Sequence, residues 1–173
     1  MKRLCQKSIL FLATTLLVAI MLSTTAFAMP SDEFFAQHGP AAQEACLDRG
    51  YFPSVALAQA ALESGWGESE LARVNNLFGR KCTDQVRCVD KLTPEFRDGQ
   101  WRLEIHRFAA YDSVRAAFVD YVDKYERPIY ADKDFTSPQA FIRSVAGRYA
   151  TDPGYASKII SLIAAYDLEE WDE

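Results

Sequence analysis

Histidine is nearly missing from this chain: 173 residues contain two, His38 and His106. Cysteine is sparse, at four. Neither histidine stands at ligand spacing from a cysteine, so no metal site and no cofactor is expected. His38 reads as a helix surface residue and His106 as a strand residue. Positive charge is also short, with 19 Lys and Arg against 24 Asp and Glu, a net charge of −5. Such a chain lacks the basic footprint that nucleic acid requires. It equally lacks the polybasic surface that holds proteins to anionic lipid. No internal repeat, low-complexity tract or linker interrupts it.

What is present begins with a basic N-terminus, Lys2, Arg3 and Lys7, followed by the apolar run ILFLATTLLVAIML and the small residues AFA ending at Ala28. This pattern predicts a secretory signal peptide over residues 1–28, cleaved after Ala28. The run is short for a membrane span and no basic stop-transfer flank follows it, so no stable insertion is expected after cleavage. Cys5 precedes the apolar run and is not a lipoprotein-type cysteine. Cleavage removes three positive charges and leaves a more acidic single domain, residues 29–173, long enough for a real core. It is expected to work as a monomer in the periplasm, outside the cell or at the cell wall. Export makes a disulfide plausible. Cys82 and Cys88 bracket the polar loop TDQVR and are the favoured pair, leaving Cys46 as a free thiol within a helical pattern.

Helical periods dominate both ends of this domain. Residues 31–50 read as a helix capped by Ser31, divided or kinked at Pro40 and stopped by Gly50. FPSVALAQAALESG reads as a second, with Pro53 in its first turn, Gly65 past its end, and Val55, Ala58, Ala61 and Leu62 on its buried face. ESELARVNN supplies a short third, stopped at Asn75 or Asn76. The middle switches to period two. Asp98-Gly99 is a strong hairpin turn, with Leu92, Pro94 and Phe96 alternating before it and Trp101, Leu103 and Ile105 after it. Pro94 marks an edge strand. Three helices follow. The first starts at Asp112 or Ser113, with Phe118, Tyr121, Val122 and Tyr125 inward. The second starts at Ser137-Pro138 and ends at Gly147. The third starts at Asp152-Pro153, with Ile159, Leu162, Ile163 and Tyr166 inward. The fold class is α+β and mainly helical, with one small hairpin.

The chemistry concentrates in LESGWGE. Glu63 falls in the last turn of the second helix, where the macrodipole opposes a negative charge. An indole at Trp66 would add desolvation. Both favour the protonated form, which a glycosidase general acid needs. Gly65 and Gly67 would let a bulky substrate approach the backbone. The alternative is that Glu63 closes a turn and Trp66 fills the core. Glu95 projects from an edge strand toward a groove, or is simply solvated. Tyr149 is a groove residue or a packing tyrosine. Trp66, Phe78 and Tyr155 are sugar-stacking surfaces or core, and Trp101 reads as a cross-strand residue.

The stretch ALAQAALESGWGESELARVNNLFGRK resembles the glucosaminidases of bacterial cell walls, glycoside hydrolase family 73. TPEFRDGQWRLEIHRFAAYDS, FIRSVAGRYATDPGYASKI and the closing AYDL match in order, so the resemblance runs from about Phe34 to Leu168. It implies a lysozyme-like helical lobe with a β-hairpin lobe across a groove. It implies cleavage of the β-1,4 bond on the reducing side of N-acetylglucosamine in peptidoglycan. It implies Glu63 as general acid, Glu95 of Thr93-Pro94-Glu95 as second carboxylate and Tyr149 of YATDP as the important tyrosine. From NNLFG it offers Asn76 and Phe78 as groove contacts. Arg80 and the Cys82/Cys88 pair depart from the family pattern. Two other readings stay open, a lytic transglycosylase or muramidase on the same polymer, and a catalytically silent wall-binding module. Inverting, retaining and substrate-assisted routes are likewise undecided, because a sequence carries no carboxylate separation.

Overall fold

The computed structural model describes residues 30–82, 87–97 and 99–173. The signal-peptide stretch with Cys5, and Asp98 of the hairpin turn, lie outside the described residues. Helix α1, Pro30–Cys46, passes through Pro40 without a break. A proline ring removes one helical hydrogen bond, and the expected division does not occur. Ser31 lies inside this helix and is buried rather than standing ahead of it as a cap. Gly39 is where the Trp171 indole packs, and a side chain there would run into the ring. A short 3-10 turn, Leu47–Arg49, ends at Gly50 with φ 70°. His38 is not a surface residue. It is 6% exposed, its ring sits 4.5 Å from that of Phe34, and burial lowers its pKa.

Helix α2, Pro53–Ser64, is the central element. Every residue from Pro53 to Ala61 is buried, whereas Leu62, expected inside, is 39% exposed. A helix apolar on all sides must be covered on all sides, and α1, the later helices and the C-terminal turn do this. Its N-terminus is capped from far along the chain. Asp172, in the 3-10 turn Leu168–Asp172, accepts from the Ser54 amide at 2.8 Å and from its hydroxyl at 2.7 Å. A carboxylate suits the positive end of the helix dipole.

Helix α3, Val114–Tyr125, starts at Ser113, whose hydroxyl accepts from the Ala116 amide, and buries Phe118, Tyr121, Val122 and Tyr125 as the pattern predicts. Helix α4, Pro138–Tyr149, starts at Ser137 and runs two residues past Gly147. Helix α5, Tyr155–Ala165, buries Ile159 and Ile163, with Leu162 only half-buried. Asp152 does not cap it. Its carboxylate instead closes a turn onto the Gly154 amide at 2.8 Å and pairs with Lys158 at 2.7 Å. Among the described residues no helix is long and apolar enough to cross a membrane.

Strands β1, Arg87–Arg97, and β2, Gln100–Ala110, form one antiparallel hairpin with Arg97 opposite Gln100. Opposed residues share a face. One face carries Leu92 with Ile105, Pro94 with Leu103, and Trp101, and it is the outer one: Ile105 and Trp101 are each 71% exposed. The other face carries Lys91 with His106, Thr93 with Glu104 and Glu95 with Arg102. Lys91 on this face reaches Glu70 at 3.4 Å, which ties the hairpin to the 3-10 turn Glu70–Val74.

The base of the hairpin is fixed by backbone pairing. The Ala109 amide donates to Arg80 and the Cys82 amide to Arg107, both at 2.9 Å. Cys82 and Cys88 form a disulfide across a separation of 6 residues, and Cys46 is a buried free thiol whose pKa burial raises to about 12. A loop this short contributes at most about 2–3 kcal/mol by restricting the unfolded chain. Reduction is therefore expected to lower the urea midpoint modestly without unfolding the protein. Non-reducing peptide mapping should recover Cys82 linked to Cys88, with Cys46 alkylated only after denaturation. A Cys46 cross-link would overturn the assignment.

Candidate active site

The turn after α2 explains the spacing of SGWG. Gly65, Trp66 and Gly67 all adopt left-handed backbone, with φ of 58°, 61° and 81°. The Ser64 hydroxyl holds the turn, donating to the Ala60 carbonyl at 2.6 Å and accepting from the Gly67 amide at 2.8 Å. This reversal sends Trp66 toward Phe34, Phe35 and Tyr166, with ring centroids 5.2–6.0 Å apart. Trp66 lines a separate pocket with Phe34, His38 and Leu77. It is an aromatic packing residue on that side of the turn, and the structure does not place it among the residues lining the Glu63 cleft.

Glu63 itself is exposed at the last turn of α2 and opens into a cleft of about 560 Å³. Phe78, Arg80, Lys124, Arg127 and Tyr149 share that cleft. Tyr155, at the start of α5, donates its hydroxyl proton to Glu63 Oε1 at 2.6 Å. The direction is set one residue deeper. Gln59, one turn before Glu63 and fully buried, donates from Nε2 to the Tyr155 oxygen at 2.9 Å. Its Oε1 accepts from Tyr121 at 2.7 Å and Tyr125 at 3.0 Å. Tyr155 oxygen is thus an acceptor toward Gln59, and its proton points to Glu63. A proton carried by Glu63 then sits on the other oxygen, Oε2. Neither Gln59 nor Lys124 was singled out from the sequence. A lone amide in the apolar run ALAQAAL was the available signal for Gln59, because buried polar groups need partners.

Tyr149 lines the cleft beside Glu63. Its ring stacks on Tyr155 with centroids 5.4 Å apart and on Tyr125 at 5.9 Å. Burial and the neighbouring Glu63 charge push its hydroxyl pKa well above the usual tyrosine value. Phe78 forms part of the cleft floor, stacked on Tyr121 at 4.7 Å. Tyr155 is buried, so its contact to the site is the hydroxyl rather than an open ring face.

Asn76 has a different duty from the groove contact expected of it. It is 1% exposed. Nδ2 donates to the Arg80 carbonyl at 2.9 Å and the Ala109 carbonyl at 2.8 Å, while Oδ1 accepts from the Arg80 amide at 2.9 Å. Both donors and the acceptor are engaged in joining the NNLFGR loop to β2. Arg80, a departure from the family pattern, crosses to α3 and pairs with Asp120 at 2.6 Å, where Tyr111 donates to the same carboxylate at 2.7 Å. Burial works against the Asp120 charge, yet these two partners hold its pKa below the ordinary value.

Glu95 is on the covered face of the hairpin and is not among the residues lining the Glu63 cleft. Its Oε1 lies 3.1 Å from His106 Nε2, and the Thr93 hydroxyl is 3.5 Å away. That His106 nitrogen also lies 3.5 Å from Glu104, yet it is aligned for a hydrogen bond with neither carboxylate. The structure therefore brings Glu63, Tyr149, Tyr155 and Phe78 together. Glu95 stands apart on the other lobe, on an element anchored at its base.

Comparison with known proteins bears on the family and the fold. A family profile described as mannosyl-glycoprotein endo-beta-N-acetylglucosaminidase matches residues 39–168. A probable N-acetylmuramidase of Lactococcus lactis is 34% identical over 153 residues, covering 82% of this chain and 35% of the relative. The exo-glucosaminidase LytG of Bacillus subtilis is 35% identical over 130 residues, covering 70% of this chain and 46% of the relative. The chain thus spans less than half the length of these two relatives. Among solved structures, the catalytic domain of the autolysin Auto from Listeria monocytogenes superposes with a TM-score of 0.79 at 30% identity, covering 92% of this chain and 97% of that one.

Proposed function

The chain belongs to the glucosaminidase family, glycoside hydrolase family 73, and from that premise we propose that it is an exported endo-β-N-acetylglucosaminidase of peptidoglycan. It hydrolyses the β-1,4 bond on the reducing side of N-acetylglucosamine. The observation that carries this reading is the Tyr155 hydrogen bond to one oxygen of Glu63, which leaves the other oxygen to present a proton in an open cleft. Export rests on the signal-peptide pattern of residues 1–28, and it puts the enzyme in the periplasm, outside the cell or at the wall.

In this mechanism Glu63 protonates the departing glycosidic oxygen. Tyr149 lines the same cleft and orients the sugar at the cleaved bond. Glu95 acts from the hairpin once glycan draws that lobe over the groove. A two-stranded flap is a poor support for a covalent nucleophile, which must be held within fractions of an ångström. Glu95 therefore serves as the base for water or steadies the substrate's acetamido group. Glu95→Gln is expected to lower turnover by about 10²-fold, within the usual range for a general base, while glycan affinity changes little. Bound glycan should also slow hydrogen exchange across residues 91–107, because a hairpin with an exposed tip opens readily. Full activity in Glu95→Gln would remove this residue from the mechanism.

The name of the lactococcal relative supports a second reading, cleavage on the other side of the repeat. Digesting purified peptidoglycan with the mature protein separates the two. New reducing-end N-acetylglucosamine is the expected product. Reducing-end N-acetylmuramic acid would make the protein a muramidase, and 1,6-anhydro ends a transglycosylase. No product at all would leave a wall-binding module.

A further inference from the structure

The Glu63 cleft is unusual in charge. Arg80, Lys81, Lys124 and Arg127 line it against one carboxylate, Glu63, in a chain with an acidic balance overall. Arg80 is neutralised by Asp120, and the Lys81 ammonium rests 4.4 Å from the centre of the Phe108 ring. Lys124 differs from both. It leaves the last turn of α3 and lies flat over Tyr149, with Nζ 3.4 Å from the ring centre. Among the described residues its ammonium has no ion-pair partner, unlike Arg80. Burial, reinforced by the Arg80 charge and only partly opposed by the Glu63 and Asp120 carboxylates, draws its pKa down to about 8.

A lysine near a helix end normally extends into water, where its ammonium is best solvated. Here it is held partly dehydrated on an aromatic face. The cation–π contact offsets only part of that cost. The arrangement is completed by an anion delivered from the cleft, and a carboxylate fits the site because charge-assisted contacts are strongest where water is excluded. Arg127 lines the same cleft and carries a second cation toward such a group.

We propose that Lys124, together with Arg127, is a subsite for a carboxylate of the glycan strand, placed beside Glu63 on the Tyr149 side of the cleft. This rests on the peptidoglycan reading for the identity of the strand. Two carboxylates of peptidoglycan meet the description, one on a stem peptide and the other the lactyl carboxylate of a muramic acid stripped of its peptide. Chitin-type oligomers have neither. The subsite therefore distinguishes wall glycan from neutral N-acetylglucosamine polymers.

The test measures binding in a Glu63→Gln background, so that turnover does not consume the ligand. Three soluble tetrasaccharides are titrated calorimetrically: neutral chitotetraose, a peptide-free wall fragment and a peptide-bearing wall fragment. Lys124→Met keeps the apolar stem over Tyr149 and removes the charge. It is expected to weaken binding of at least one wall fragment about tenfold, the scale of one charged hydrogen bond, and to leave chitotetraose within about twofold. Lys124→Arg should retain most of the affinity. Loss confined to the peptide-bearing fragment assigns the stem carboxylate, and loss confined to the peptide-free fragment assigns the lactyl group. Equal loss for chitotetraose, unchanged affinity for both wall fragments, or no binding of either fragment overturns the proposal. The digestion of peptidoglycan by the unaltered protein is a separate readout. An absence of products there, with charge-selective binding intact, would remove the hydrolytic reading and leave the subsite standing.

Discussion

Glu63→Gln is expected to reduce peptidoglycan hydrolysis by about 10²–10⁴-fold or more, the scale of a lost general acid. The substitution is close to a pure removal of the proton. Glutamine has the same shape, and its amide oxygen can still accept from the Tyr155 hydroxyl that now donates to Glu63 at 2.6 Å. What it cannot do is release a proton to a leaving oxygen at the open side of the cleft. Reducing-end release measures the loss. Circular dichroism and the urea midpoint should match the parent protein, which separates a chemical defect from a folding one. A folded Glu63→Gln protein with near-parental turnover would remove Glu63 from the mechanism. Tyr155→Phe provides a graded comparison. It takes away the hydrogen bond that fixes which carboxyl oxygen faces the cleft, and turnover should fall less steeply than in Glu63→Gln, with the bound substrate held as before.

Gln59→Leu is expected to produce the largest loss of stability. The side chain is fully buried and its amide serves three tyrosines, donating to Tyr155 and accepting from Tyr121 and Tyr125. Leucine fills similar space and satisfies none of them. An unpaired buried polar group costs about 1–3 kcal/mol. Three hydroxyls lose a partner, so a drop of about 3 kcal/mol or more follows, a large share of the roughly 5–15 kcal/mol that holds a domain of this size. Urea unfolding reads it directly. A loss below about 1 kcal/mol would mean that the tyrosines find other partners and that the network does not depend on Gln59. Burial raises the pKa of all three hydroxyls well above the ordinary tyrosine value. Their folded pKa values are raised, so their contribution to stability is complete below the unfolded value of about 10. It is lost as pH climbs from there toward the folded values.

Local chemistry made Glu63 and the hairpin legible. A proline at the first turn and a glycine past the last bound α2 within a residue or two, and that alone puts Glu63 at the helix end. Asp98-Gly99 between alternating runs set the register of β1 and β2 correctly. Alternation says that a strand has two faces, however, and not which face turns to the helices. Tertiary placement decided that, and it left Trp101, Leu103 and Ile105 outside. The duty of Asn76 is hidden in the sequence for a related reason. An asparagine in a loop looks available to a ligand until the backbone groups around it are found to occupy all its hydrogen bonds. Lys124 is not legible in the sequence, because a lysine beside a buried tyrosine on a helix has the pattern of a solvated flank. Only the arrival of Tyr149 from α4 gives it a ring to lie on.

The run of three left-handed residues at Gly65, Trp66 and Gly67 bears on how variation in this protein should be read. Space around Gly65 is open, and an added methyl would meet nothing within 4 Å; the obstacle is its φ of 58°. A side chain in that conformation costs about 1–2 kcal/mol. Randomising codons 65–67 and selecting only for soluble, folded protein, with no glycan in the assay, should return glycine at 65 and 67 nearly as often as selecting for lysis. The most recognisable word in the sequence would then record the handedness of a chain reversal. Its neighbours Gln59 and Glu63, which spell nothing memorable, would be where a selection for activity leaves its mark.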